Sequence, residues 1–378
     1  RFRAGPGGEK QAMQTIAFAR GVPAPEMLPI EDLRVASQRA FEQDPVKLLS
    51  YGTGAGWDPL RARLAAQHEV DVARVVVTTG SLEGFALLAQ VIARRAAAEG
   101  RIARVIVEQP TYDRPLLILR RLGIEVVPVP LDPDGIDVAA FAEACAAGAD
   151  LAYLIPTFQN PSGATLDVTR RAAVLDVAKR SGVLLLEDDP YGVLHFDEPA
   201  PQGLFAGRGD APVAFSGSFS KTIAPGVRVG WLVLPQDLAL EVATLANDTY
   251  ISASFIGQAT VDAYLEAGAF QGNVDRARSM LAERCSLIVD AFARHLPEAT
   301  FTAPRGGYFI WVRMPDGLDA TDVLSRATGL GVSFVAGSSF GADCGDYARL
   351  AFSSPPVDQI DEGVARLAAA CESRAAVR

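Results

Sequence analysis

From about residue 58 to 235, short runs of β-branched and other apolar residues alternate with longer stretches that carry apolar positions at helical spacing. This alternation predicts successive strand-helix units around a buried, mostly parallel sheet. The strand candidates are 75–78, 105–107, 125–129, 151–155, 183–187, 213–216 and 229–234, with helical patterns such as 82–98 and 168–180 between them. Beyond residue 237 the pattern turns helical, and 272–295 has the length and apolar spacing of one long connecting helix. A smaller α+β unit follows, with strand candidates at 308–313, 332–335 and 348–352. Near the start, Gly21-Val22-Pro23-Ala24-Pro25, with Pro29 after it, reads as an extended arm. No internal repeat, low-complexity linker or heptad pattern interrupts this order.

Composition agrees with a large core: the chain has 378 residues, 49% hydrophobic and 21% charged, so more than one structural unit is expected. The net charge of −10 is dispersed rather than gathered in blocks, which argues for solubility and against nucleic acid or an anionic membrane as partner. Cys145, Cys285, Cys344 and Cys371 lie far apart, so neither a zinc site nor a disulfide framework is signalled and reduced thiols of a cytoplasmic protein are expected. His68, His195 and His295 share no ligand spacing, and no metal site is expected. No run approaches the roughly 18 apolar residues of a membrane span. The polar, glycine-rich first ten residues are unlike a signal peptide.

The segment from Ser216 to Trp231 carries the most chemistry. It sets Lys221 among Ser218, Ser220, Thr222 and loop-formers, with Arg228 seven positions on. A lysine partly desolvated on such a turn has a depressed pKa and acts as an amine nucleophile toward carbonyls. The arginine is suited to gripping phosphate bidentately. Together they point to pyridoxal phosphate, an aldehyde that carries a phosphate.

In an open α/β sheet, ligands bind at the carboxyl ends of strands, and further candidates fall there. Thr79-Gly80-Ser81-Leu82 reads either as a helix cap or as a turn whose free N–H groups hold a phosphate. Tyr112 is a packing tyrosine or a ring that stacks on a planar cofactor. Asn160 belongs to an Asn-Pro turn or donates to a ligand oxygen. The run Glu187-Asp188-Asp189 ends an apolar strand, where an aspartate suits a protonated pyridine nitrogen and three acids suit a divalent ion. Ser218-Phe219-Ser220-Lys221 also satisfies the S-x-x-K of serine acyl-enzymes, but no S-D-N follows and Lys221-Thr222-Ile223 is not K-T-G.

Taken together, these residues resemble the fold-type-I pyridoxal phosphate enzymes, specifically class I/II aminotransferases. The similarity is nearest to the branch that 2-aminoadipate aminotransferases share with the effector domains of MocR-type regulators. It runs from about Phe18 to the end, through Phe18-Ala19-Arg20-Gly21-Val22-Pro23, Tyr51-Gly52, Thr79-Gly80-Ser81, Pro110-Thr111-Tyr112, Gln159-Asn160-Pro161-Ser162-Gly163, Asp188-Asp189-Pro190-Tyr191, 218–228, Gly306-Gly307-Tyr308-Phe309 and Arg349-Leu350.

The resemblance implies an aspartate-aminotransferase-like α/β architecture. In it, an arm and part of the small domain span 1–40, a large cofactor-binding domain 41–270 and a small domain 271–378. It implies Lys221 as Schiff-base lysine and proton shuttle, with Asp188 paired to the pyridine nitrogen. Asn160 and Tyr191 would bond the ring oxygen, and Tyr112 would stack on the ring. Gly80, Ser81, Leu82, Ser218, Ser220 and Arg228 would form the phosphate site, which Tyr51 would reach from the neighbouring subunit of a homodimer with shared active sites. Arg349 would clamp the substrate carboxylate, Asn160 would help to hold the substrate, and Gly21 would let the arm close over it. The implied activity is ping-pong transfer of an amino group from an L-α-amino acid to a 2-oxo acid.

The chain departs from the branch at Arg20, where a glycine is usual, at Leu82-Glu83, and in a missing or shortened N-terminal helix. These departures bear on the substrate, and Arg20 is a candidate for an acidic side chain. Two alternatives stay open: a lyase, replacement or cyclising enzyme of the same fold, and the ligand-sensing half of a MocR-type regulator.

Overall fold

The computed structural model describes residues 15–372. The polar opening segment discussed above lies outside them. In chain order the strands are β1 (Ile16–Ala17), β2 (Val75–Thr78), β3 (Arg104–Gln109), β4 (Glu125–Asp132), β5 (Gly135–Ile136), β6 (Leu151–Leu154), β7 (Leu184–Asp188), β8 (Val213–Ser218), β9 (Gly230–Val233), β10 (Phe309–Arg313), β11 (Val332–Ser333), β12 (Val335–Ala336) and β13 (Tyr347–Ala351). The helices are α1 (Ile30–Gln43), α2 (Pro45–Leu48), α3 (Asp58–Gln67), α4 (Ser81–Ala98), α5 (Asp113–Arg121), α6 (Val138–Ala146), α7 (Val168–Ser181), α8 (Gln236–Tyr250), α9 (Phe255–Glu266), α10 (Phe270–His295), α11 (Ala320–Gly329) and α12 (Ile360–Glu372).

Strands β2 to β9 form one eight-stranded sheet in the order β2-β9-β8-β7-β6-β3-β4-β5. The inner strands β8, β7, β6, β3 and β4 run parallel, as the strand-helix alternation requires. Strand β9 runs against both of its neighbours, and the short β5 turns back on β4. Because side chains alternate across a strand, Val75 and Val77 face one cluster and Val76 the other; Ile106 and Leu185 likewise oppose Val105 and Leu186. The first cluster is closed by α3, α6, α7 and α9, and the second by α4, α5 and α8. Local chemistry sets the helix limits. In α7, Asp167 accepts the Thr169 N–H at 2.7 Å at the start, and Gly182 in the left-handed conformation (φ 73°) stops the helix and releases the chain into β7.

A third core joins α10, α11 and α12 to β10, β13 and the arm residues Ile16 and Phe18. The stretch 332–335, expected as one strand, is two short ones. Strand β11 pairs in parallel with β1, β12 pairs antiparallel with β13, and buried Phe334 separates them. Within the segment grouped above with the arm, α1 packs on α9, and its Ala36 and Ala40 belong to the sheet-facing cluster.

Candidate active site

The carboxyl ends of β7 and β8, the start of α4 and the strand β13 surround a cavity of about 400 Å³. Gly21, Gly80, Ser81, Leu82, Tyr112, Asn160, Asp188, Tyr191, Ser218, Ser220, Lys221, Arg228 and Arg349 all line it, so residues as much as 328 positions apart in the chain converge on one space (349 − 21). Two residues named from the sequence do not. Tyr51 is 86% exposed and lies outside the lining of its own chain's cavity, and Arg20 is passed over while Ala19 and Gly21 face in. Asp113 and Arg114, paired at 3.6 Å, line the wall instead. A larger cleft of about 770 Å³ opens behind residues 162–165 and includes neither Lys221 nor Asp188.

The three consecutive acids diverge. Glu187 accepts the N–H groups of Leu204 and Phe205 at 2.9 and 2.7 Å, and Asp189 accepts that of Gly192 at 2.6 Å. Only Asp188 of the three lines the cavity. Its Oδ2 accepts the Tyr153 hydroxyl at 2.6 Å and its Oδ1 the hydroxyl of Ser216, its register partner on β8, at 2.9 Å. Burial pushes its pKa up to about 6, against the pull of those two hydroxyls. Both of these hydrogen-bond partners are neutral hydroxyls.

Lys221 sits in the turn that follows β8. Its Nζ donates to the Gly21 carbonyl, and its backbone carbonyl accepts the Tyr308 hydroxyl at 2.7 Å. Burial, then the charges of Arg349 and Arg228, lower its pKa to about 8. Near it, Gly80 caps α4 with no side-chain acceptor, which leaves the first N–H groups of an 18-residue helix available to an anion. Arg228, left-handed at φ 53°, donates to the Thr79 carbonyl at 2.9 Å and lies so close that a Cβ on Gly80 would stand 2.5 Å from its Nη2.

Arg349 on β13 is buried; its Nη1 donates to Asn160 Oδ1 at 2.9 Å and its Nη2 to the Ala19 carbonyl at 3.0 Å. The guanidinium lies over the rings of Phe309 and Phe340, 4.3 and 4.9 Å from their centroids. Its buried Nε has no partner among the described residues. Gly21 is required by contact, since a Cβ there would lie 2.4 Å from the Phe309 ring. Tyr191 is buried, with its pKa raised well above normal by desolvation, and Tyr112 is raised to about 12 for the same first reason.

Sequence reasoning does not name Tyr153 or Phe340, and it gives no site role to Ser216 and Gly230 of the lysine segment or to Phe309 of a family motif. Tyr153 and Ser216 were visible as hydroxyls inside otherwise apolar strands. Gly230 presses β9 against α4, and a Cβ on it would sit 2.3 Å from the Ser81 nitrogen.

The profile of aminotransferase class I and II matches residues 16–367. The chain belongs to this family. Family members are transferases, and this chain is 32% identical to 2-aminoadipate transaminase of Thermus thermophilus over 93% of its length and 89% of that protein's. It is 29% identical to aromatic-amino-acid aminotransferase 1 of Thermococcus litoralis, over 95% and 88%. Among solved structures, α-aminoadipate aminotransferase of Thermus thermophilus, complexed with N-(5'-phosphopyridoxyl)-L-leucine, superposes with a TM-score of 0.89 at 30% identity, covering 96% of this chain and 94% of that one. The shared architecture is that of the fold-type-I aminotransferases.

Proposed function

We propose that this aminotransferase moves an amino group from an L-α-amino acid to a 2-oxo acid in two half-reactions, with pyridoxal 5'-phosphate as cofactor. The observation that carries the reading is one cavity holding a half-buried lysine of lowered pKa, a buried aspartate bonded to two hydroxyls, and a buried arginine whose Nε has no partner among the described residues. The residues fit the cofactor: among the described residues Asp188 pairs with no cation, which a protonated pyridine nitrogen would supply, and the start of α4, which has no side-chain cap, would with Ser218, Ser220 and Arg228 suit a phosphate. When bound, the cofactor supplies an aldehyde for attachment of amines and a ring that withdraws electrons.

Lys221 would supply the attaching amine, take up the proton that leaves the substrate Cα in the first half-reaction, and supply a proton to the product Cα in the second. Its lowered pKa gives it a neutral fraction at mildly alkaline pH that an exposed lysine lacks. Asp188 would keep the ring nitrogen protonated, with Tyr153 and Ser216 fixing both carboxylate oxygens. Asn160 and Tyr191 would hold the ring oxygen, and Tyr112 would pack against the ring. Arg349 grips the substrate carboxylate; its flanking rings exclude water and strengthen that contact. Gly21 brings the arm over the substrate.

Exposed Tyr51 reads as a contribution to the phosphate site of a second subunit. Val46, Leu49, Ile251 and Ile256 are exposed apolar residues of the neighbouring segments, and the Gly52 N–H ties this loop to Ser252 Oγ at 3.1 Å. Such apolar exposure marks an interaction surface and favours a homodimer with shared sites.

Borohydride reduction of the holoenzyme followed by peptide mapping tests the site. The expected product is a single cofactor adduct on Lys221. An adduct elsewhere, or none, would overturn the assignment.

A further inference from the structure

We propose that Glu108 and Gln159 form a buried clasp that positions Tyr112 and Asn160 as one unit, which makes them positioning residues for the reaction. The inference rests on the cofactor reading of the cavity. Glu108 lies on β3 and Gln159 follows β6; they are 3% and 1% exposed, and neither lines the cavity. Glu108 Oε2 accepts the Ile155 N–H at 3.0 Å and Gln159 Nε2 at 3.2 Å. The same Nε2 donates to the Pro110 carbonyl at 2.8 Å, two residues before Tyr112. At its other end, Gln159 Oε1 accepts the Ser162 N–H at 2.9 Å and the Ser162 hydroxyl at 2.7 Å. Asn160 is the next residue, and its Oδ1 accepts from Arg349.

The Gln159 side chain therefore ties the end of β3 and the loop after it to the loop after the adjacent parallel β6, one loop bearing the ring that would pack against the cofactor and the other the amide that pairs with the substrate clamp. Buried polar groups that are fully paired rigidify their surroundings, and unpaired ones force a rearrangement. Among the described residues both hydrogen bonds of Glu108 fall on Oε2, so the oxygen, not the charge, is what the clasp uses. Glutamine supplies the same acceptor and alanine does not.

The test uses the holoenzyme and two readouts: the pH midpoint of the visible absorbance of the cofactor bound through Lys221, and kcat/KM with a fixed amino acid. Glu108→Ala and the near-isosteric Gln159→Met are expected to raise the spectral midpoint by about one unit and to lower kcat/KM by roughly 10- to 100-fold, since loosened reacting groups cost about that much. Glu108→Gln is expected to stay within about threefold of wild type, because an amide oxygen makes the same pairings. A Glu108→Gln enzyme as impaired as Glu108→Ala would overturn the proposal. So would a Gln159→Met holoenzyme with the wild-type midpoint and kcat/KM, even where Glu108→Ala does not fold. A wild-type protein without a visible band would instead remove the cofactor reading and leave the two failures distinguishable.

Discussion

Asp188 shows how function and stability oppose each other at one residue. Its pKa in the folded chain is raised to about 6 from an ordinary 3.8, so between about pH 4 and 6 the native carboxyl holds a proton that the unfolded chain has released. Stability of the cofactor-free protein therefore falls as pH rises through that window, and the full cost of the buried charge is present above it. Asp188→Asn is expected to be more stable than wild type by about 1–3 kcal/mol at pH 7.5 without cofactor, the difference closing below about pH 4. The same variant is expected to lose roughly 100-fold or more in kcat, the scale for removing a preorganised electrostatic group. Melting curves of the cofactor-free proteins across pH, beside steady-state rates, check both. Lys221, Asp188 and Arg228 could be singled out in the sequence because their residue types and neighbours already state a chemistry, and Arg349 only through the family resemblance. Tyr153, Ser216 and Glu108 were not, because their partners lie on neighbouring strands and local sequence does not write strand register.

At the scale of elements, the critical joint is the passage from β2 into α4. Gly80 holds φ +87°, open to glycine at little cost, and its missing Cβ makes room for Arg228. Gly80→Ala is expected to cost about 1–3 kcal/mol of stability and to weaken cofactor affinity by roughly tenfold or more, because the side chain forces Arg228 away from the helix start. Thermal melts and cofactor titration measure the two effects. Most strands were legible to within a residue or two, since buried parallel strands are short and apolar. The split at Phe334 and the reversal of β9 were not. Two-residue strands are defined by the partners that they meet, and the direction of β9 follows from the tight return through 219–229.

For the whole molecule, the arm is the connecting element. Strand β1 joins the small unit through β11, the Gly21 carbonyl accepts from Lys221 and the Ala19 carbonyl from Arg349, so both reacting ends of the cavity contact a segment at the start of the chain. In the proposed dimer each site also takes Tyr51 from the partner. Mixing a Tyr51→Ala chain with a Lys221→Ala chain, each of low activity alone, is then expected to restore activity, because one site of every mixed dimer carries both native residues. Activity that remains at the sum of the two parents after subunit exchange would place Tyr51 outside a shared site.

The transfer chemistry itself is tested most directly by a single half-reaction. Holoenzyme is incubated with one reactive L-amino acid and no acceptor, and the 2-oxo acid released per active site is counted. One equivalent per site, followed by arrest until a 2-oxo acid is added, is the expected result. Continuous release without an acceptor, or no 2-oxo acid from any amino acid tried, would refute ping-pong amino transfer at this site.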